Sequence, residues 1–271
     1  MSYNAELIVI PARWGSTRFP GKPLAVIAGR SLLERVVDLA RRATAARPAV
    51  GMVVATDDAR IADHAAAIGC PAVMTSASIT SGSGRALAAA LAADEPPQRI
   101  VNLQGDAPFL PPAALGGVLD ALAAGAEVAT PVVRLSWAAL DALRAHKRAA
   151  PFSGTTCTRT AGGDALWFSK AIIPAIRGED ALREAGGASP VFRHLGLYGY
   201  SLTALQRFER LQPSTYEQLE GLEQLRFLEA GMPIRTILVE EPLISMSGID
   251  TPEDARLAER LIAEHGDPFG A

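Results

Sequence analysis

The chain has 271 residues, 26 basic and 29 acidic side chains, a net charge of −3 and two cysteines. A near-neutral charge argues against binding to nucleic acid, and cysteines without a CxxC pair argue against a disulfide framework or a structural zinc site. No leader-like segment or uninterrupted apolar span is present in the sequence, so we expect a soluble, cytoplasmic protein that does not bind membranes.

Short apolar runs alternate with helical periodicity through the first half of the chain. The runs are typical of parallel strands buried on both faces, and they lie at 7–10, 52–55, 100–103 and 128–133. The helical segments lie at 31–42, 59–68, 84–93 and 112–124. This alternation predicts an α/β fold in which a layered, mixed and mostly parallel sheet is flanked by helices. Ligands should then bind beyond the carboxyl ends of the strands.

The second half of the chain has a different rhythm. We predict a helix over 137–148, extended segments within 154–168, a flexible loop over 178–190 and a strand over 195–202. The pattern then predicts helical structure over 215–230, a strand over 234–239 and a last helix over 252–265.

A loop rich in cations and hydroxyls follows the first predicted strand. Arg13, Arg18 and Lys22 supply positive charge, and Ser16 and Thr17 supply hydroxyls. Glycines in the same loop permit the close backbone approach by which loop amides hold phosphate. The loop matches neither a P-loop ATPase nor a dinucleotide-binding dehydrogenase. Its position after a buried strand predicts a polyphosphate site.

Two acidic residues that are far apart in the sequence are predicted to reach the same edge of the sheet. Asp106 directly follows the third strand of the first half, and Asp250 directly precedes the last helix. Asp250 also suits a helix N-terminal contact, and the pair Asp57 and Asp58 suits a helix cap better than a metal site. Two carboxylates beside a phosphate hold a divalent cation, and Mg²⁺ is the expected ion.

Several segments together resemble the 3-deoxy-manno-octulosonate (Kdo) cytidylyltransferase family, the CMP-Kdo synthetases. They are PARWGSTRFPGKPL (11–24), NLQGDAP (102–108), RHLGLYGY (193–200), LEQLR (222–226) and GIDTPED (248–254), in the family's order. The resemblance implies a nucleotide-diphospho-sugar transferase-like fold. It also implies Mg²⁺-dependent transfer from CTP to the anomeric hydroxyl of an acidic sugar, with release of pyrophosphate, and a homodimer that acts in lipopolysaccharide assembly.

The resemblance carries residue roles over to this chain. It implies nucleotide binding by Arg13, Ser16, Lys22, Ser81, Arg85 and Gln104. It implies that Lys22, Asp106 and Asp250 are catalytic, with the two aspartates as metal ligands. We assign the acidic sugar to Arg18, Lys170, His194, Tyr198, Glu223 and Gln224. Taken without the resemblance, such a histidine is more often structural, such a tyrosine is more often a half-buried strand aromatic, and such a glutamate is more often on a solvated helix face.

The resemblance also suggests how one nucleotidyltransferase domain is organised. We expect a nucleotide-binding half over 1–130, a smaller inserted subdomain for sugar binding and dimerisation over 131–245, and a metal-ligand loop with a closing helix over 246–271. The apolar segment 195–202 is where we expect the dimer contacts.

Some positions depart from the family pattern. Gly84 and Ala107 stand where the family has an acid, Gly154–Thr158 lacks a family lysine, and Lys170 replaces an arginine. Lysine loses the bidentate hold of arginine on a carboxylate. Because the phosphate loop and the metal positions are intact, we expect a divergent paralogue that acts on Kdo, a Kdo-like acid or another small acidic acceptor.

Two other classes of protein stay open. A GT-A-like glycosyltransferase usually needs a DxD-type acid pair, and Pro108 stands where the second acid would be. A non-catalytic paralogue that binds a nucleotide or nucleotide-sugar agrees with the acids missing at Gly84 and Ala107. The retained Asp106 and Asp250 argue against it.

Overall fold

The computed structural model describes residues 5–15, 18–242, 244, 246, 248–268 and 270. The strands are β1 Glu6–Pro11, β2 Val26–Ile27, β3 Arg30–Ser31, β4 Val50–Thr56, β5 Ala72–Met74, β6 Arg99–Leu103, β7 Val128–Arg134, β8 Thr156–Arg159, β9 Ala165–Ser169, β10 Phe192–His194, β11 Leu197–Ser201 and β12 Arg235–Val239. The helices are α1 Leu32–Ala43, α2 Ala59–Ala67, α3 Gly82–Leu91, α4 Pro112–Ala123, α5 Trp137–Ala149, α6 Glu179–Glu184, α7 Leu202–Arg210, α8 Thr215–Glu220, α9 Gln224–Glu229 and α10 Pro252–His265. A 3-10 helix covers Lys22–Leu24.

One mixed, 10-stranded sheet organises the described part of the chain. Its order is β5-β4-β1-β6-β11-β7-β10-β8-β9, and β12 also pairs with β7. β1 lies parallel to β4 and β6, whereas β11 is antiparallel to both β6 and β7. The predicted α/β class, with a mixed, mostly parallel sheet flanked by helices, is confirmed.

The central strand β1 shows why this sequence makes a layered sheet. Its apolar run is fully buried, and alternate side chains point to opposite faces because the strand repeat is two residues. Ile8 and Ile10 join one core with residues of α1 and α4, while Leu7 and Val9 join the other with residues of α3 and α7. The sheet is therefore covered on both faces, and its strand ends are left for binding.

The segment 195–202, where dimer contacts are expected, is largely buried within the fold. This segment contains β11, a central strand in which Leu197 is fully buried and Tyr200 is 3% exposed. Gly199 lets α4 approach, since a Cβ there would lie 2.4 Å from Cγ1 of Val118. The apolar character of the segment largely reflects burial between sheet and helices, and a dimer contact here stays a prediction.

Two local predictions also need correction. The expected flexible loop over 178–190 contains α6, where Glu179 accepts hydrogen bonds from Arg144 and Arg183. The helical segment 215–230 is two helices, because Gly221 adopts a left-handed conformation (φ +63°) at the end of α8. The sequence patterns also did not predict β5 or α7.

Both halves of the chain contribute to the same sheet. β11, from the second half, pairs with β6 from the first. The internal boundaries expected at 130 and 245 stay a prediction. Among the described helices, none is both long and apolar enough to cross a lipid bilayer.

Candidate active site

A cleft of about 250 Å³ lies where β1 and β6 end. It brings together most residues predicted for the phosphates and the metal: Arg13, Arg18, Lys22, Ser81, Arg85, Gln104, Asp106 and Asp250. Ser16, also predicted here, lies outside the described residues. The cleft has the position expected for ligands of an α/β sheet.

Backbone contacts place the two aspartates side by side. Gly105 has no room for a side chain, since a Cβ would lie 2.5 Å from the carbonyl oxygen of Pro11. The chain leaving β6 therefore passes against the end of β1. The backbone N–H of Ile249 donates to the carbonyl oxygen of Asp106 at 2.9 Å, which brings Asp250 to the same edge.

Lys22 lies between the two carboxylates. Its Nζ is 2.8 Å from Oδ2 of Asp106 and 3.0 Å from Oδ1 of Asp250. Nη2 of Arg18 lies 3.2 Å from the other oxygen of Asp250. Burial alone would lower the pKa of Lys22, but the two carboxylates outweigh it and the pKa is raised. Burial likewise opposes the charge of Asp250, whose pKa is nevertheless lowered by Lys22 and Arg18.

The carboxylate pair fits a divalent cation. The side chains of Asp106 and Asp250 are 31% and 44% exposed and converge on one positive charge, the ammonium of Lys22. The described residues contain no group of three or more ligating side chains. A metal held here would take its remaining ligands from phosphate and water oxygens, as Mg²⁺ commonly does.

The first turn of α3 forms another wall of the cleft. Ser81 caps the helix by accepting from the N–H of Gly84 at 3.0 Å, and Gly82 packs against the amide of Gln104. Nη1 of Arg13 donates to the carbonyl oxygen of Thr80 at 3.4 Å. The turn thus joins the predicted nucleotide loop to the cationic loop.

Arg85 is 2% exposed and has several partners within the protein. Nη2 donates to Oδ2 of Asp57 at 3.1 Å and to the carbonyl oxygen of Ile79 at 2.9 Å, and Nη1 donates to Thr75. These bonds hold the segment that leads into α3. Contact between Arg85 and a nucleotide stays a prediction.

Gly84 departs from the family pattern, and α7 supplies a carboxylate in its place. Gly84 is the third residue of α3, where a capping box normally has an acid. An ideal Cβ on Gly84 would lie 3.1 Å from Oε2 of Glu209. A negative charge near a helix N-terminus is favourable, so Glu209 provides from another helix what position 84 lacks.

The residues predicted for the acidic sugar, apart from Arg18, form a second cluster outside the cleft lining. Nζ of Lys170 donates to Oγ1 of Thr155 at 3.2 Å, and Nε2 of His194 lies 2.9 Å from Oγ1 of Thr130. The ring centroids of His194 and Tyr198 are 5.2 Å apart. The cluster therefore joins β9, β10 and β11 at one place.

Burial pushes the titratable groups of this cluster toward their neutral forms. It lowers the pKa of Lys170, and burial followed by the charge of Lys170 lowers the pKa of His194 to about 3. Burial also raises the pKa of Tyr198 and of Glu223. Gln224 is 5% exposed, and no described residue accepts a hydrogen bond from its Nε2. The cluster presents hydrogen-bonding groups in a poorly solvated place.

The beginning of α3 connects the cleft to the cluster. Gly82 lines the cleft, and the hydroxyl of the next residue, Ser83, donates to Oε2 of Glu223 at 3.2 Å. Sequence reasoning assigned no role to three hydroxyl side chains at these contacts: Ser83, Thr130 and Thr155. Hydroxyl residues are too common for their type alone to mark a site.

Comparisons with known proteins agree with this geometry. A family model described as Cytidylyltransferase matches residues 7–236. The 3-deoxy-manno-octulosonate cytidylyltransferase of Maricaulis maris is 44% identical over 264 residues, 96% of this chain and 98% of that relative. The protein of the same name from Anaeromyxobacter dehalogenans is 42% identical over 257 residues, 94% of this chain and 97% of that relative.

A solved structure extends the likeness to three dimensions. It is CMP:2-keto-3-deoxy-manno-octonic acid synthetase complexed with CTP, with a TM-score of 0.79 and 32% sequence identity. The match covers 96% of this chain and 99% of that structure. Since identity, family match and fold agree over nearly its whole length, this chain is a nucleotidyltransferase that belongs to the Kdo cytidylyltransferase family.

Proposed function

We propose that this protein transfers a cytidylyl group from CTP to the anomeric hydroxyl of Kdo in the presence of Mg²⁺, giving CMP-Kdo and pyrophosphate. The observation that carries the proposal is the meeting of Asp106 and Asp250 on one cation at the edge that also carries Arg13 and Arg18. The relatives named for Kdo support the choice of acceptor.

The phosphate side acts by positioning and neutralising charge. Attack of a sugar hydroxyl on the α-phosphate needs alignment and charge neutralisation rather than a covalent intermediate. Arg13, Arg18 and Lys22 would bind the phosphate oxygens, and Asp106 with Asp250 would hold Mg²⁺. When bound, Mg²⁺ neutralises developing negative charge and makes the sugar hydroxyl more acidic.

The sugar side would recognise a carboxylate and several hydroxyls. Partial burial lowers the pKa of Lys170, so the carboxylate of a sugar acid would stabilise its charged form. The free Nε2 of Gln224 and the carboxyl of Glu223 suit sugar hydroxyls. His194 stays neutral at neutral pH and contributes shape and one ring nitrogen.

The departure at Gly154–Thr158 leaves Lys170 well supported. Nζ of Lys147 donates to the carbonyl oxygens of Ser153 and Gly154, at 2.6 and 3.1 Å, and to that of Lys170 at 2.5 Å. A lysine from α5 therefore fixes the segment that lacks a lysine of its own. This support argues against a lost sugar site.

Pyrophosphate release tests the proposal. Purified protein would be incubated with each of the four nucleoside triphosphates, with and without Mg²⁺, and with a panel of 2-keto-3-deoxy sugar acids and other small acids. We expect release with CTP, Kdo and Mg²⁺ together. Release with a different acid would reassign the acceptor. No release in any combination, with CTP still bound, would favour the non-catalytic paralogue.

We further propose a cytoplasmic homodimer that supplies lipopolysaccharide assembly. A soluble nucleotide and a bacterial surface sugar meet in the cytoplasm, which agrees with this family. Because β11 is an internal strand whose leucine and tyrosine side chains are largely buried, we expect dimer contacts chiefly from other residues of the chain. Light scattering on a gel-filtration column, repeated over a concentration series, would give the assembly state.

A further inference from the structure

The cationic loop, which carries Arg13, Arg18 and Lys22, also makes contacts outside the cleft. Trp14 follows Arg13 and is half-buried against the core between the sheet and α1. The guanidinium carbon of Arg60, on α2, lies 3.3 Å from the centroid of the Trp14 ring. An arginine stacked this closely on an indole is held by cation–π attraction and by planar packing.

A carboxylate fixes the orientation of the stacked guanidinium. Asp58, the N-cap of α2, accepts from Nε and Nη2 of Arg60 at 2.9 and 2.6 Å. Such a paired arrangement sets the plane of the guanidinium as well as its position. The stack is therefore part of the α2 N-terminus, a fixed element of the fold.

Trp14 also contacts the far end of the loop. Its carbonyl oxygen accepts from the N–H of Gly21 at 3.2 Å. A Cβ on Gly21, whose φ is +69°, would lie 3.0 Å from Cη2 of Trp14, so the ring closes on the Gly21 backbone. Lys22, the residue between the two aspartates, comes next. One side chain thus bridges the positions beside Arg13 and beside Lys22.

We propose that Trp14 and Arg60 form a clip that positions the cationic loop for the triphosphate of CTP. Neither residue lines the cleft, so both are positioning residues that act through Arg13 and Lys22. The inference rests on the proposed role of the loop in binding CTP. It predicts that loosening the stack weakens CTP binding and leaves the sugar site unchanged.

The main test is Arg60→Ala. It is made in a Trp137→Phe/Trp167→Phe background, which leaves Trp14 as the only tryptophan of the sequence. We expect the KM for CTP to rise about 10-fold to 100-fold, the cost of misplacing binding groups by a fraction of an ångström to an ångström. The KM for Kdo should change less than about twofold. Acrylamide quenching of Trp14 should increase. Arg60→Lys, which keeps a cation, should recover part of the CTP affinity.

Arg256→Ala is the matched control, since it removes an exposed arginine paired with Glu253 on α10. It should leave both KM values unchanged. An unchanged KM for CTP in Arg60→Ala would overturn the inference, as would an equal rise in both KM values with a lower Tm and no rescue by lysine. If the wild type released no pyrophosphate, the proposed function would fail separately, and calorimetric titration with CTP would still decide whether Arg60 matters.

Discussion

The two parts of the site handle charge in opposite ways. At the cleft, Lys22 lies 2.8 Å from Asp106 and 3.0 Å from Asp250, and these contacts raise the pKa of Lys22 and lower that of Asp250. In the sugar-side cluster, burial drives Lys170 and His194 toward their neutral forms. The protein therefore has one region in which charged side chains are paired and one region in which burial disfavours the charged forms. The first turn of α3 connects the two.

This difference indicates what each region lacks until its ligand binds. At the cleft, Lys22 is already paired with Asp106 and Asp250, so a metal or a phosphate that binds there would exchange with partners already present. In the cluster, the ammonium of Lys170 is partly desolvated and the nearby carboxylate of Glu220 offsets this only in part, so an anionic ligand would stabilise its charged form further. The phosphate side should be sensitive to loss of a carboxylate, and the sugar side to loss of a cation.

The largest expected effect is that of Asp106→Asn. Removing one carboxylate removes half of the proposed metal site, and we expect kcat to fall at least about 10³-fold. Pyrophosphate release at saturating substrate measures this. Asp120→Asn, which removes an exposed acid paired with Arg47, is the control and should keep wild-type activity. Near-normal activity in Asp106→Asn would refute the metal-ligand role.

The next prediction concerns Lys170, whose charged form is disfavoured by burial. Lys170→Met should raise the KM for Kdo about 10-fold to 100-fold, the value of one charge-assisted hydrogen bond, with the KM for CTP unchanged. Steady-state kinetics with each substrate varied in turn would measure it. Lys170→Arg, which restores the family residue, should retain sugar binding. A rise in the KM for CTP alone would place Lys170 on the nucleotide side.

A smaller effect tests whether Lys22 occupies the place of a metal. In Lys22→Met the two carboxylates lose their shared cation, so the affinity for Mn²⁺ without CTP should rise about 3-fold to 10-fold even as activity falls. Electron paramagnetic resonance of free Mn²⁺ measures this. Arg18→Met, which affects only Asp250, should change it less. Lower affinity in Lys22→Met would mean that the ammonium holds the carboxylates together.

The last prediction, which concerns folding rather than binding, is a pH dependence of stability. The pKa of His194 is about 3 in the folded protein and 6.5 in its ordinary state. Between these pH values the imidazole is protonated in the unfolded chain and neutral in the folded protein. Stability should therefore fall as the pH falls below 6.5. In urea unfolding, His194→Gln should remove about 1–2 kcal/mol of the loss between pH 7 and pH 5. His146→Gln, which changes a histidine in an exposed contact, should not. An unchanged pH profile in His194→Gln would contradict the neutral, buried state of this ring.

Sequence reasoning predicted best where one local pattern has one structural solution. The fully apolar run Leu7–Ile10 can satisfy both faces only inside a covered sheet. Asp106 and Asp250 were placed at one edge because strand ends and helix starts converge there. The roles of these residues came from the family resemblance, and they stay predictions that the variants above would test.

Sequence reasoning failed where contacts with residues that are distant in the sequence determine the local structure. The order of α6 depends on Arg144, which lies on α5, and apolarity alone does not show that segment 195–202 contains a central strand. Gly84 stands where the family resemblance predicts an acidic residue, and the carboxylate of Glu209, on α7, lies close to it. Such compensation between elements leaves no local pattern in the sequence.

The contact between Ile249 and Asp106 has a consequence for synthesis. Lys22 and Asp250 are 228 positions apart, yet they share one ion pair. A nascent chain leaving the ribosome carries the cationic loop and Asp106 long before it carries the second acid. The strands of the first half can pair during translation, but the complete carboxylate pair exists only after the last helix begins to emerge. We therefore expect incomplete chains, which lack Asp250, to have no transferase activity.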